Sequence, residues 1–234
     1  MAQASEHVSK QYDTDLEAIR SKVLRMGGLV ESQVLAAIQG FSTGNVDAMA
    51  EVIAQDHRVN AFEVELDEDC AHIIARRQPA ARDLRMVLAI SKTTTDLERI
   101  GDEGAKIARM AKQIHERGLA QLPRVADVTH SANHVVTMLR RSLDAFARLD
   151  SSGAQDIIQE DETIDSEFRA ILRQLITYMM EDPRMITTSL DIVWIAKAIE
   201  RIGDHAKNIA EYVVYIVDGT DIRHTMPSRA TKPV

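Results

Sequence analysis

The chain has 234 residues, 45% of them hydrophobic and only 4% aromatic, with a formal net charge of −8. The Ala, Ile, Leu, Val and Met palette suits helices rather than strands, and the interspersed Arg and Lys give no clustered basic surface for nucleic acid. No apolar run approaches the ~20 residues of a membrane span, the N-terminus lacks the apolar core of a signal peptide, and lone Cys70 excludes a disulfide framework; a soluble, cytoplasmic protein with a buried thiol is expected.

Helical periodicity predicts a first helix from about Ser9 to Phe41, with Leu16, Ile19, Val23, Met26, Val30, Val34 and Ile38 on one side. The Gly27-Gly28 pair inside it marks a kink or a close helix crossing. Asn45 is a good N-cap for a second helix to about Arg77, and Pro79 opens a third that runs to about Arg117 and stops at Gly118. Pro123 sits near the start of a fourth helix ending about Asp150. Ser152 with Gln155 forms a capping-box pattern for the fifth, which ends at Glu181. Asp182-Pro183 begins the sixth, ending about Asp218 with Gly219 as its C-cap.

The second three helices repeat the first three. ERIGD occurs at Glu98–Asp102 and again at Glu200–Asp204. Upstream, Ile38, Phe41, Val52, Ile53, Asp56 and Val59 match Leu143, Phe146, Ile157, Ile158, Asp161 and Ile164. The register is 105 residues early and 102 at the motif, so one three-residue length change lies between, bracketed by Pro79 and Pro183. The expected fold is therefore all-α, two tandem homologous three-helix bundles of long antiparallel helices. The first spans residues 8–118 and the second 121–219, each a packed unit, followed by a mobile tail at 220–234.

On the last helix, Ile195, Ile199, Ile202, Ala206, Ile209, Val213 and Ile216 form an apolar stripe, with Glu200, Asp204, Asn208 and Glu211 opposite. The third helix repeats this with Ile90, Leu97, Ile100, Ile107, Ala111 and Ile114 against Glu98 and Asp102. Outward carboxylates do not suit a buried di-iron centre, which points Glu inward and adds a Glu-x-x-His motif absent here. They suit a surface site that collects oxygen ligands from adjacent helices, to which Asp56 and Asn60, and in register Asp161 and Asp165, could contribute. Gly101 and Gly203 cost helix propensity, so close packing is expected at that turn. Taken together, His57, His115, His130, His134 and His205 show no shared spacing, which argues against a His-based zinc site, although His205 adjoins Asp204. No phosphate-binding loop or nucleophile elbow is present. Met179-Met180 and Trp194 read as core, and Tyr212 and Tyr215 as core edge.

The two ERIGD motifs, with RQP at Arg77–Pro79, DLR at Asp83–Arg85, SKT at Ser91–Thr93 and RQLITYMMEDPR at Arg173–Arg184, resemble the PhoU family of phosphate-signalling regulators. The resemblance runs from about Val8 to His224. It implies a non-enzymatic cytoplasmic negative regulator of phosphate uptake and of the phosphate regulon, often a homodimer. Such a protein would contact the transporter ATPase, PstB, and the membrane sensor kinase, PhoR, without binding nucleic acid or entering the membrane. It also implies metal binding (Fe, Zn, Mg or Mn) and no organic cofactor, the motif positions being Glu98, Asp102, Glu200 and Asp204. Asn208 follows the second pair at i+8, where the first has Lys106, so the first face is expected to be poorer in oxygen ligands. The other readings are a metal-dependent carboxylate-bridged enzyme, such as a phosphatase, and a purely structural helical adaptor.

Overall fold

A computed structural model describes residues 2–79, 81–118 and 123–222. Its helices are α1 (Ala2–Thr43), α2 (Val46–Gln55), α3 (His57–Arg77), α4 (Ala81–Glu116), α5 (Val125–Arg148), α6 (Ser151–Glu181) and α7 (Ile186–Asp218). Among the described residues there is no strand. Most of the expected tail, from residue 223 on, lies outside the described residues.

Six helices were expected from the pattern, and the structure divides the second of them at Asp56 into α2 and α3. Asp56 itself keeps helical dihedrals (φ −54°, ψ −39°), so the break is a short turn rather than a change of direction by glycine or proline. Asn45 caps α2 as expected, its side chain accepting from the Ala48 N–H. The cap of α6 is Asp150, whose carboxylate accepts from the Gly153 N–H, and not Ser152. Asp182 and Pro183 start a 3-10 turn, Pro183–Met185, before α7 begins. Gly219 closes α7 in the left-handed region at φ 76°, where glycine meets no Cβ penalty.

α1, α4, α7 and α5 contact one another in a ring, with α2 and α3 laid on the α1/α4 side and α6 on the α5/α7 side. The two three-helix units thus share one continuous apolar core. Its repeat-related members are buried in pairs: Phe41 with Phe146, Val52 with Ile157, Val59 with Ile164. Burying each large apolar side chain contributes about 1.5–3 kcal/mol. Both predicted stripes on α4 and α7 are buried throughout. Gly27 marks a close crossing, since a Cβ there would stand 2.8 Å from the Leu143 side chain, on α5 of the other unit.

Cys70 is buried, and desolvation pushes its thiol up to about 12, which makes it inert. Tyr212 is buried at the core edge, with Lys92 lying over its ring and that of Tyr215. Trp194 and Met180, expected in the core, are instead 54% and 80% exposed, and Met179 is only partly buried. Trp194 lies on the flank of α7 that continues as Ile186 and Leu190, and Lys106 of α4 sits 5.6 Å from its ring centroid.

Candidate functional site: two acidic faces

Each ERIGD glycine lets an outer helix approach. A Cβ on Gly101 would stand 3.2 Å from Val59 of α3, and one on Gly203 would stand 3.3 Å from Ile164 of α6. Val59 and Ile164 are repeat counterparts, so the same contact is built twice. It brings the carboxylates of the outer helices beside those of the motif.

On the first face, Asp56 lies at the α2–α3 break, its Oδ1 buried without a hydrogen-bond partner. Burial, with the neighbouring Asp102 charge, raises its carboxyl above the usual range. Glu98 is raised by burial and then by Asp102, Glu63 and Asp56, with Arg99 acting the other way. Its side chain is only 16% exposed, and Arg99 Nε lies 3.5 Å from Glu98 Oε2. Glu63 of α3 is likewise raised, chiefly by burial and by Asp67, and joins this cluster unannounced by the sequence. Asn60 is exposed on the same helix.

On the second face, burial and the charges of Glu200, Asp161 and Asp165 push Asp204 up to about 6, with Lys197 opposing them. Two lysines already occupy the surroundings. Lys197 Nζ lies 2.6 Å from Glu200 Oε1, and Lys207 Nζ lies 2.6 Å from Asp161 Oδ2. Asp165 pairs loosely with Arg169 at 3.5 Å.

The carboxylates are therefore not an open outward ladder. Glu98 and Glu200 sit in grooves against the outer helices, the latter 12% exposed. Glu211, expected on the polar side, is buried. Asn208 and His205 belong elsewhere: the Asn208 amide donates to Asp96 Oδ1 at 3.0 Å, and His205 Nδ1 lies 2.7 Å from the same oxygen. The cause is helical drift, because residues four apart rotate by about 40° and i+8 by about 80°, which carries Asn208 off the Glu200 side. Lys106 is also turned away, bonding Glu103 at 3.2 Å, where Arg201 joins at 2.5 Å. Asp96 and Glu103 thus hold α4 to α7 across the two units, and Lys106 removes nothing from the first face.

Three of the other histidines sit at helix ends or in an α5–α6 contact. His57 bonds the Ala54 carbonyl, His115 the Phe41 carbonyl, and His134 bonds Glu167. No helix among the described residues is long and apolar enough to cross a membrane. A cavity of about 340 Å³ between α1 and α3 is lined by Asp15, Asp69, His72, Arg76 and Arg77, away from every motif carboxylate.

Among the described residues no group of three or more His, Cys, Asp or Glu side chains is placed to hold a metal ion. The donor chemistry nevertheless fits a hard cation. Carboxyls raised by burial and then by one another's charge, with an orphaned Asp56 oxygen, would be relieved by a divalent ion that accepts oxygen ligands.

The PhoU domain model matches residues 23–111 and 128–213, one copy per three-helix unit. The chain is 47% identical over 229 residues to a phosphate-specific transport system accessory protein PhoU homolog of Pseudomonas aeruginosa, covering 97% of this chain and 94% of that one. It is 44% identical over 220 residues to the accessory protein PhoU of Escherichia coli K12, covering 94% and 90%. A crystal structure of PhoU from P. aeruginosa superimposes with a TM-score of 0.86 at 48% identity, over 89% of this chain and all of that one. The phosphate transport system regulatory protein PhoU of Streptococcus pneumoniae gives 0.82 at 29% identity, over 90% and 98%. With its two motif-bearing units matched in sequence and in fold, the chain belongs to the PhoU family.

Proposed function

We propose that this chain is a non-enzymatic accessory protein of phosphate-specific transport, which restrains phosphate uptake and keeps the phosphate regulon repressed when phosphate is plentiful. The observation that carries this reading is family membership over nearly the full length, with relatives named as transport accessory and regulatory proteins. It acts by protein contact, linking the transporter ATPase PstB to the sensor kinase PhoR from the cytoplasmic side, and it works as a homodimer. An exposed apolar row on α7, Ile186, Leu190 and Trp194, supplies surface of the kind that protein contacts use.

The acidic faces bind divalent or iron ions in this reading. Glu98, Asp102, Asp56 and Glu63 hold the ion on the first face; Glu200, Asp204, Asp161 and Asp165 hold it on the second. A bound ion adds positive charge that offsets carboxylate repulsion and fixes the outer helices against α4 and α7. Catalysis is not assigned to it, because the relatives are named as transport accessory and regulatory proteins.

Complementation tests the proposal. In cells lacking their own PhoU, this chain should restore repression of alkaline phosphatase in phosphate excess and co-purify with the transporter ATPase or the kinase. Failure of both, with the protein folded and expressed, would contradict it. A phosphatase assay with manganese or iron should give no activity that Glu200→Ala abolishes.

A further inference from the structure

α4 and α7 run antiparallel where the two units meet, since Arg117 pairs with Asp191 at one end of the contact and Glu103 pairs with Arg201 further along. Ile186, Leu190 and Trp194 follow one another at every fourth residue of α7, a row about 12 Å long. They are 41%, 46% and 54% exposed, so three large apolar side chains stand in water on one line. Lys106 of α4 closes the row, over the Trp194 ring.

The charges beside the row are layered. Arg117, Arg201 and Lys106 keep 41%, 44% and 29% of their side chains exposed, whereas the carboxylates that pair with them, Asp191 and Glu103, keep 14% and 6%. Glu103 alone serves two of the three cations. The border of the row therefore shows positive charge to solvent, on a chain whose formal net charge is −8.

We infer that the α4–α7 groove beside Trp194 docks an amphipathic helix of a partner protein, one that carries Asp or Glu along the edges of its apolar stripe. This rests on the reading that the chain acts by protein contact. A row at i, i+4 and i+8 is a helix ridge, and its natural complement is the ridge-and-groove surface of another helix. Tryptophan and arginine are the residue types that most often dominate binding energy. The exposed cations select acidic flanks by attraction and reject basic ones by repulsion. They also disfavour a second copy, because pairing row with row across a two-fold axis sets Lys106, Arg117 and Arg201 of both chains against one another. The aromatic anchor occurs once. In the 102-residue register the first unit has Leu84, Leu88 and Lys92 at these places, and Lys92 lies over the rings of Tyr212 and Tyr215 instead.

The test is binding of the full chain to the purified transporter ATPase and to the detergent-solubilised sensor kinase. L190A/W194A should keep its helical circular dichroism and weaken binding to one of them at least about tenfold. K106Q/R117Q should weaken it a few-fold and flatten its salt dependence. A photo-cross-linking residue at position 190 should attach to the same partner, and the captured peptide should belong to a helix with acidic residues beside an apolar stripe. Unchanged binding by L190A/W194A, or capture of a basic or strand segment, would overturn the inference and leave the accessory function standing. So would loss of self-association in L190A/W194A with partner binding intact, which would make a second copy the occupant. If the folded, unsubstituted chain bound neither protein, the inference and the reading beneath it would both fail.

Discussion

The two ERIGD motifs occupy the same packing and different electrostatics. Gly101 against Val59 and Gly203 against Ile164 are near-identical contacts. Around them, the first face has Asp56, Glu63, Glu98 and Asp102 with two arginines, Arg99 and Arg109, acting on them by charge, whereas two lysines are hydrogen-bonded to Glu200 and Asp161 of the second. Duplication has thus kept the steric device that assembles each face and varied its charge. The face expected to be poorer in oxygen ligands is the one without a lysine hydrogen-bonded to its motif carboxylates among the described residues, because Lys106 turns to Glu103 instead.

Overpacking the shared contact gives the largest expected effect. Gly101→Val and Gly203→Val should each destabilise by about 2–3 kcal/mol, since the branched side chain must displace a buried β-branched neighbour. Urea denaturation should find similar losses; a twofold difference would break the claim of equal packing.

Charge is the second lever. Replacing Lys197 and Lys207 by alanine should tighten manganese binding at the second face about tenfold, or about 1.4 kcal/mol, while Arg99→Ala should change the first face only a few-fold. Calorimetric titration that finds no gain at the second face would show that the lysines do not compete with the ion.

Asp204 gives a pH signature of roughly 1 kcal/mol once solvent screening is allowed for. Its carboxyl rises from 3.8 to about 6 on folding. Between those values the folded chain holds a proton that the unfolded chain has released. Stability contributed by this group therefore falls as pH rises through the window, and its cost is complete above about pH 6. Asp204→Asn should remove that slope and stabilise the metal-free protein at pH 7 by the same amount, read from denaturation midpoints across pH. Smallest is Glu63→Gln, which should weaken metal at the first face a few-fold and leave the second untouched.

Much of this molecule is legible in its sequence because helices report themselves through periodicity. The stripes on α4 and α7, the Asn45 and Gly219 caps and the close packing at Gly101 and Gly203 all follow from local patterns. What was missed depends on distant partners. Asn208 and His205 are taken up by Asp96, more than a hundred residues away in the chain. Glu63 is hidden from repeat logic because its register partner is Phe168. The break at Asp56 carries no glycine or proline to announce it, and Asp150 outcompetes Ser152 through backbone dihedrals that only the turn itself sets. Trp194 shares a helix with the core stripe but lies on the flank of Ile186 and Leu190, where its ring is 54% exposed.

The most direct test of the account is regulon output in cells carrying this chain or its E98A/D102A/E200A/D204A variant, read as phosphate-repressed alkaline phosphatase, with folding and metal content measured in parallel. A folded, metal-depleted variant that fails to repress in phosphate excess is expected. Normal repression by that variant would contradict it and move the signal to surfaces other than the acidic faces.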